Sequence, residues 1–488
     1  MSAPKSGKDK TFFRTPPVQA FLAFFVALAV IFAQAQKYKD TAPYADSVSY
    51  LAVAVPLHDR GVLTDGNYGG DAIGTGSHGE GMFFAPLYPA FLSVLMHISS
   101  GFNETAHCAV EKRKLDIIER NCRPLHLKFV VGTQIMLAAI AAALTWGAAF
   151  FLTGRAGLSW LAMILVLAAR EYAHNAAIIM TENLVFPLFT AATLCFVAAL
   201  KKKSFSLSAA SGVALGLLAL TRPSFSYLYY FAAAIMLPLA LWWLVRRVNL
   251  RRAALMLLFL LCCVLSVAPW IVRNGTKIGV WDISAGYGAF TLVQRAAFND
   301  MNATEWWGIL LMSLPDFGDK LALKLFSYDN LKRLDLSNKD SFYQYGNHVL
   351  REREQTAAGG PAQFQPYLIK KYILAHPVKH LWVTLAMTWK GMWVGKNLAY
   401  LFIPAFFVYF VRSVRRRDWP FVLFSLGPWL LLGLNGFVSF NITRYNLILL
   451  PCLSVAAAWA LLEMAGAARD KMRALMTGRG KRVSAQCP

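Results

Sequence analysis

Ten apolar runs punctuate this chain, near 21–36, 126–152, 157–170, 176–200, 206–221, 226–245, 253–272, 397–412, 419–437 and 446–464. Each is long enough, or nearly so, to cross a hydrocarbon core of roughly 30 Å at about 1.5 Å per residue. Lipid offers no hydrogen bonds to a bare backbone, so runs of this kind must become helices that satisfy their own amides. The fold class that follows is an all-α integral membrane protein, a polytopic helical bundle of about ten spans. A hydrophobic content of 57% with only 15% charged residues places the chain outside the soluble globular class.

The formal net charge of +23 does not point to nucleic acid, because the Lys and Arg lie in short clusters between apolar runs, not along one soluble face. Lys5, Lys8, Lys10 and Arg14 precede the first run. Lys201 to Lys203, Arg246 with Arg247, Arg251 with Arg252, and Arg412 with Arg415 to Arg417 separate later ones, and a basic tail runs from Arg469 to Arg482. Ten spans put all of them, and both termini, on the cytoplasmic side, as the positive-inside rule requires. The run 83–99 would span only about 24 Å as a helix and opens with two prolines. Counting it as a span would invert the next four basic clusters, so it is expected to lie on the outer surface, as is 372–395. The first run lacks a small-residue cleavage site and reads as an anchor.

The chain then divides into an N-terminal tail with the first span (1–36), a first exterior segment (37–125), a helix bundle (126–273), a second exterior segment (274–395), C-terminal spans (396–464) and a basic cytoplasmic tail (465–488). The Gly-rich stretch 66–81 has neither helix nor strand period and is read as an irregular loop. Trp306 with Trp307 is read as an interfacial anchor, while His376 and His380, four apart, either pair on one face or snorkel from an interfacial helix. Of seven cysteines only Cys108 and Cys122 fall in an exterior loop, where either a bridge or two free thiols fits. The spans show no internal repeat of the inverted-repeat transporter kind.

Chemistry is sought on the outer side. Asp46 opens an expected helix, and Tyr50 lies on the same face about 6 Å further along the axis. Three arginines, Arg222, Arg273 and Arg444, stand alone at the outer ends of apolar runs. A guanidinium beside hydrocarbon is costly unless paired, and its rigid fork of donors suits phosphate oxygens. A carboxylate facing an arginine-held phosphate suggests group transfer, in which the acid removes a proton from an acceptor hydroxyl while phosphate leaves as an anion. Asp40, Glu80 and Glu182 are further candidates for substrate contact; Asp71 and His78 could hold sugar hydroxyls or simply be solvated.

Seven stretches in order, YADSVSYLA (44–52), FAPLYPAFL (84–92), MTENL (180–184), GLLALTRPS (216–224), APWIVRN (268–274), KYILAHP (371–377) and RYNLILLP (444–451), make the chain resemble the GT-C polyprenyl-phosphate-sugar glycosyltransferases. That group includes the protein mannosyltransferases and the lipid A aminoarabinose transferases. The resemblance implies a GT-C-like bundle with Asp46 as catalytic base and Arg222, Arg273 and Arg444 as donor phosphate contacts. It also implies an inverting hexosyl or pentosyl transfer from an undecaprenyl- or decaprenyl-phosphate type donor to a lipid, polysaccharide or protein hydroxyl, in a bacterial inner membrane.

This chain departs from the pattern where many relatives carry an Asp-Glu pair, since Ser47 follows Asp46, and where the lipid A enzymes place a Lys before the paired prolines, since Phe84 and Ala85 precede Pro86. A divalent ion could bridge Asp46 or Asp40 to phosphate, but no His-Glu-x-x-His cluster is present and no metal is assigned. Two rival readings remain: a lipid-phosphate carrier or flippase, which needs the arginines but no base, and a ligase moving a whole glycan from a pyrophosphate carrier.

Overall fold

The structure, a computed structural model, describes residues 15–38, 45–66 and 79–483. Asp40, Asp71, His78 and the N-terminal basic cluster lie outside the described residues. In chain order, α1 (Pro16–Ala35) is followed by α2 (Ala45–Arg60), α3 (Leu87–Ile98) and α4 (Ser100–Lys112) of the first segment. The bundle continues as α5 (Lys128–Thr153), α6 (Ala156–Ala168), α7 (Arg170–Ala176), α8 (Glu182–Lys202), α9 (Phe205–Thr221), α10 (Ser226–Val245) and α11 (Leu250–Lys277). The second segment contains α12 (Tyr287–Ala297), several short helices and α13 (Pro377–Met392), and α14 (Ala399–Arg415), α15 (Trp419–Val438) and α16 (Leu450–Val483) close the chain.

Every one of the ten apolar runs is helical. Among the described residues, eight helices are long and apolar enough to cross a membrane, which makes this a multi-pass membrane protein. The remaining two runs are shorter or broken. α6 and α7 form one run bent by 67°, and α9 has 17 residues. The run expected at 176–200 starts instead at Glu182, because 177–181 form the turn that leads into α8.

α9 meets α11 through small residues. A Cβ on Gly212 would fall 2.3 Å from the Phe259 carbonyl oxygen, and one on Gly216 would fall 2.5 Å from Ser266 Cβ. Glycines four apart on one face thus let two backbones touch where lipid supplies no hydrophobic drive for helices to associate.

The two ends of the bundle differ in charge. At one end Arg155 and Arg412 each lie 4.0 Å from Glu463, Lys201 sits over the Phe151 ring, and Arg251 donates to the Lys203 carbonyl. Asp46, Glu182, Arg222 and Arg444 gather at the other.

α3 spans 12 residues, about 18 Å, too short to cross a core of roughly 30 Å. α13 buries His380, Val383, Ala386 and Met387 and turns Val378, Leu381, Trp382 and Leu385 outward, the two-faced pattern of a helix lying along an interface. Two sequence expectations are corrected here. His376 precedes α13 and is exposed while His380 is buried, so they share no face. Trp306 is core, stacked on Trp382 at 4.3 Å with its indole N–H donating to the Trp382 carbonyl, and only Trp307 is exposed. Cys108 and Cys122 are joined in a disulfide.

Candidate active site

A cavity of about 100 Å³ opens at the end of the bundle away from the basic clusters, lined among others by Asp46, Tyr50, Glu182, Arg222, Arg444 and Tyr445. Its walls come from elements distant in sequence, and the reasons they meet are local. Arg222 ends α9 in an extended conformation (φ −150°, ψ 115°). The following Pro223 disfavours helix at the residue before it, so the chain leaves the helix at the arginine itself. Arg444 lies on a 3-10 stretch, Thr443–Leu449, anchored by buried Asn446, whose amide donates to the carbonyl of Gly391 and the side chain of Asn441.

Glu182 begins α8 directly after a turn that is stitched from several sides. Gln134 donates to the carbonyls of Ala176 and Ile178, and in turn accepts from the Tyr88 hydroxyl. Asn183 donates to the Ile178 carbonyl at 2.8 Å. Ser47, next to Asp46, donates to the Ile179 carbonyl at 3.0 Å, tying the start of α2 to the same turn. The two acids are therefore held by one piece of backbone although they are far apart in sequence.

The charges form a chain. Glu182 Oε1 lies 3.4 Å from Arg222 Nη1 and 3.6 Å from Arg444 Nε, and Arg444 Nη2 donates to Asp46 Oδ2 at 2.6 Å. The Tyr445 ring sits under both guanidiniums, 4.4 Å from Arg222 and 5.5 Å from Arg444, so its π-face adds to their stabilisation. The Glu182 side chain is 5% exposed and that of Asp46 is 52% exposed. One carboxylate is therefore a buried clamp and the other an accessible group at the cavity mouth. On α2, burial pushes the Tyr50 hydroxyl well above its ordinary pKa, with Tyr287 and Glu182 adding to the effect, so it stays a neutral donor.

Arg273 is not brought to this cavity. It donates to the carbonyls of Gly81 and Leu63 and pairs with Glu80, fastening the residues just after α2 to those around Gly81. The same closure uses Asp65 Oδ1, which accepts from the amides of Met82 and Phe83. Gly81 is required there, since a Cβ would fall 2.3 Å from the Asp65 amide nitrogen. Glu80 is thus engaged by Arg273 and lies off the cavity lining. Of the residues singled out in sequence, the structure brings together Asp46, Tyr50, Glu182, Arg222 and Arg444.

Sequence reasoning missed Tyr445, Tyr287, Gln294, Tyr343 and Phe440 in the lining. Tyr445 could have been found, because it adjoins Arg444. The others come from the second segment, Tyr287 and Gln294 on its α12, and, for Phe440, from the stretch just after α15, and carry no local mark. Of the two acids through which an ion could bridge to phosphate, Asp46 is engaged by the Arg444 guanidinium, with which a cation would compete, and Asp40 lies outside the described residues.

No family model and no curated protein matches the sequence. Among solved structures, the chain is similar to ArnT from Cupriavidus metallidurans bound to undecaprenyl phosphate, with 14% identity, a TM-score of 0.33, and coverage of 91% of this chain and 78% of that one.

Proposed function

We propose that this protein is a membrane glycosyltransferase of the GT-C kind that moves a sugar from a polyprenyl-phosphate donor to an acceptor hydroxyl on a lipid, polysaccharide or protein. The observation that carries the reading is the convergence of Arg222, Arg444 and the accessible Asp46 carboxylate on one cavity, at the end of the bundle opposite its basic clusters. The ordered sequence stretches resembling that group support the same reading. Following the positive-inside rule, the cavity faces the exterior of a bacterial inner membrane.

The magnitudes suggest how donor and base share the arginines. Breaking a buried pair such as Glu182–Arg222 costs about 3–5 kcal/mol, whereas an exposed pair such as Asp46–Arg444 is worth about 0–1 kcal/mol. A donor phosphate therefore exchanges with Asp46 at Arg444 while Glu182 keeps its hold. The released Asp46 carboxylate then lies beside the phosphate and accepts the acceptor's hydroxyl proton. The acceptor oxygen bonds to the anomeric carbon as its bond to the phosphate oxygen breaks. The electron pair goes to the phosphate, stabilised by the two guanidiniums, and direct displacement inverts the centre. No second protein acid is needed, because phosphate is already a good leaving group.

The test is transfer by purified protein in lipid from a panel of short-chain polyprenyl-phosphate sugars. Asp46→Asn is expected to lower turnover at least about a hundredfold while donor binding persists. An Asp46→Asn protein that turns over normally removes the base assignment, and failure of any polyprenyl phosphate to bind removes the donor.

A further inference from the structure

Three of the nine histidines lie at one place on the first segment, away from the cavity. α2 carries His58 and Asp59 at its C-terminal end, α4 presents His107, and α3 places the His97 ring 4.1 Å from that of His58. His58 Nδ1 and His107 Nε2 both face the same oxygen of Asp59, at 2.8 Å and 3.3 Å. Among the described residues, these three side chains form a group whose ligand atoms all lie within 4.8 Å of one another.

We infer that His58, Asp59 and His107 form a binding site for a divalent metal ion of the zinc class. Zinc held by imidazole nitrogen and carboxylate oxygen at about 2.0–2.1 Å sets ligand atoms roughly 3.3 Å apart, so the observed spacing needs only small side-chain shifts. Two imidazoles and one carboxylate are ligands that zinc accepts, with its remaining coordination completed by water or a fourth side chain. His97 is a candidate fourth ligand. Its Nδ1 is engaged with the Ser93 carbonyl at 2.9 Å, the outer-shell bond that fixes a tautomer with its lone pair on Nε2. His107 is moreover next to Cys108, whose disulfide to Cys122 restrains α4. The sequence hides this site because its ligands come from separate helices with no recognisable spacing.

The ion would act as a clamp and not in the chemistry. From Asp46 to His58 is twelve residues of one helix, about 18 Å. A metal joining α2 to α4 would hold the far end of the helix that begins with Asp46. The binding inference stands whether or not the protein transfers sugar.

The experiment uses tag-free, full-length protein in lipid, stripped with a chelator and then titrated with Zn²⁺ alone. One zinc per chain by elemental analysis, together with a higher thermal midpoint than the stripped protein, is expected; no stoichiometric uptake overturns the inference. His107→Ala should weaken zinc binding by more than about tenfold, since even outer-shell changes cost that much, whereas His126→Ala should leave it unchanged. Undiminished uptake by His107→Ala also overturns it. Should that variant misfold, Co²⁺ bound to the natural protein decides: an intense tetrahedral visible spectrum supports the site, and a weak octahedral one refutes it.

Discussion

Glu182 illustrates how a single residue sets the behaviour of its neighbours. Its carboxylate stands between two guanidiniums that would otherwise repel each other across the cavity. In Glu182→Gln that compensation is lost, and the cost of leaving Arg222 unpaired is about 3–5 kcal/mol of stability. The same variant should respond more strongly to ligand, because a phosphate then supplies the negative charge that Glu182 no longer places between the two arginines. Thermal unfolding with and without a short-chain polyprenyl phosphate measures both effects. The midpoint should drop without ligand, and the ligand-induced rise should exceed that of the natural protein. An unchanged midpoint, or equal rises, would show that Glu182 is not the clamp. Arg222 and Arg444 could be picked out of the sequence because a lone charge at the end of an apolar run demands a partner, and Asp46 because it opens an expected helix in a stretch that resembles the GT-C transferases. The division of labour between the two acids could not, because it rests on burial, which depends on the turn at 177–181 and its long-range hydrogen bonds.

At the scale of an element, α13 shows the limits of periodicity. Its apolar spacing indicates a helix with one buried and one exposed face, but does not tell which polar residue faces inward. His380 does, donating through Nε2 to the Phe437 carbonyl at 3.0 Å and standing 3.2 Å from the Asn299 amide. The buried Arg295 on α12 donates to the His380 carbonyl, so α12, α13 and α15 are joined at this point. Burial, with the Arg295 charge adding to it, pushes the His380 imidazole down to about 4. The ordinary value is about 6.5, so between those pH values the unfolded chain binds a proton that the folded chain refuses. Stability contributed by neutral His380 is therefore full above about pH 6.5 and is lost as the pH falls toward 4. His380→Gln, which can keep both hydrogen bonds without titrating, should flatten the decline of the thermal midpoint over that window. Identical declines in the two proteins would dismiss His380 as the titrating group.

For the molecule as a whole, the hydropathy runs made the helices legible, and ten runs became eight membrane-length helices, one bent pair and one helix of 17 residues. What remained hidden was the way the second segment folds over the cavity, since α12 contributes Tyr287 and Gln294 through contacts with no local sequence signature. Sidedness is proposed from charge. Lys202 and Arg416 belong to the basic end, whereas Glu104 on α4 and Lys339 in the second segment belong to the segments at the cavity end. Moving several Lys or Arg across a membrane is far costlier than leaving short polar segments outside, so the proposed orientation keeps the basic end on the cytoplasmic side. Single cysteines at Glu104 and Lys339 should react with an impermeant maleimide on intact cells, and those at Lys202 and Arg416 only after permeabilisation. A fifth cysteine at Arg60, the exposed end of α2, is the discriminating one, because α3 lies between it and 104. Were α3 to cross the membrane despite its 12 residues, positions 60 and 104 would lie on opposite sides and only one of them would react, and the sidedness of every later helix would have to be recounted.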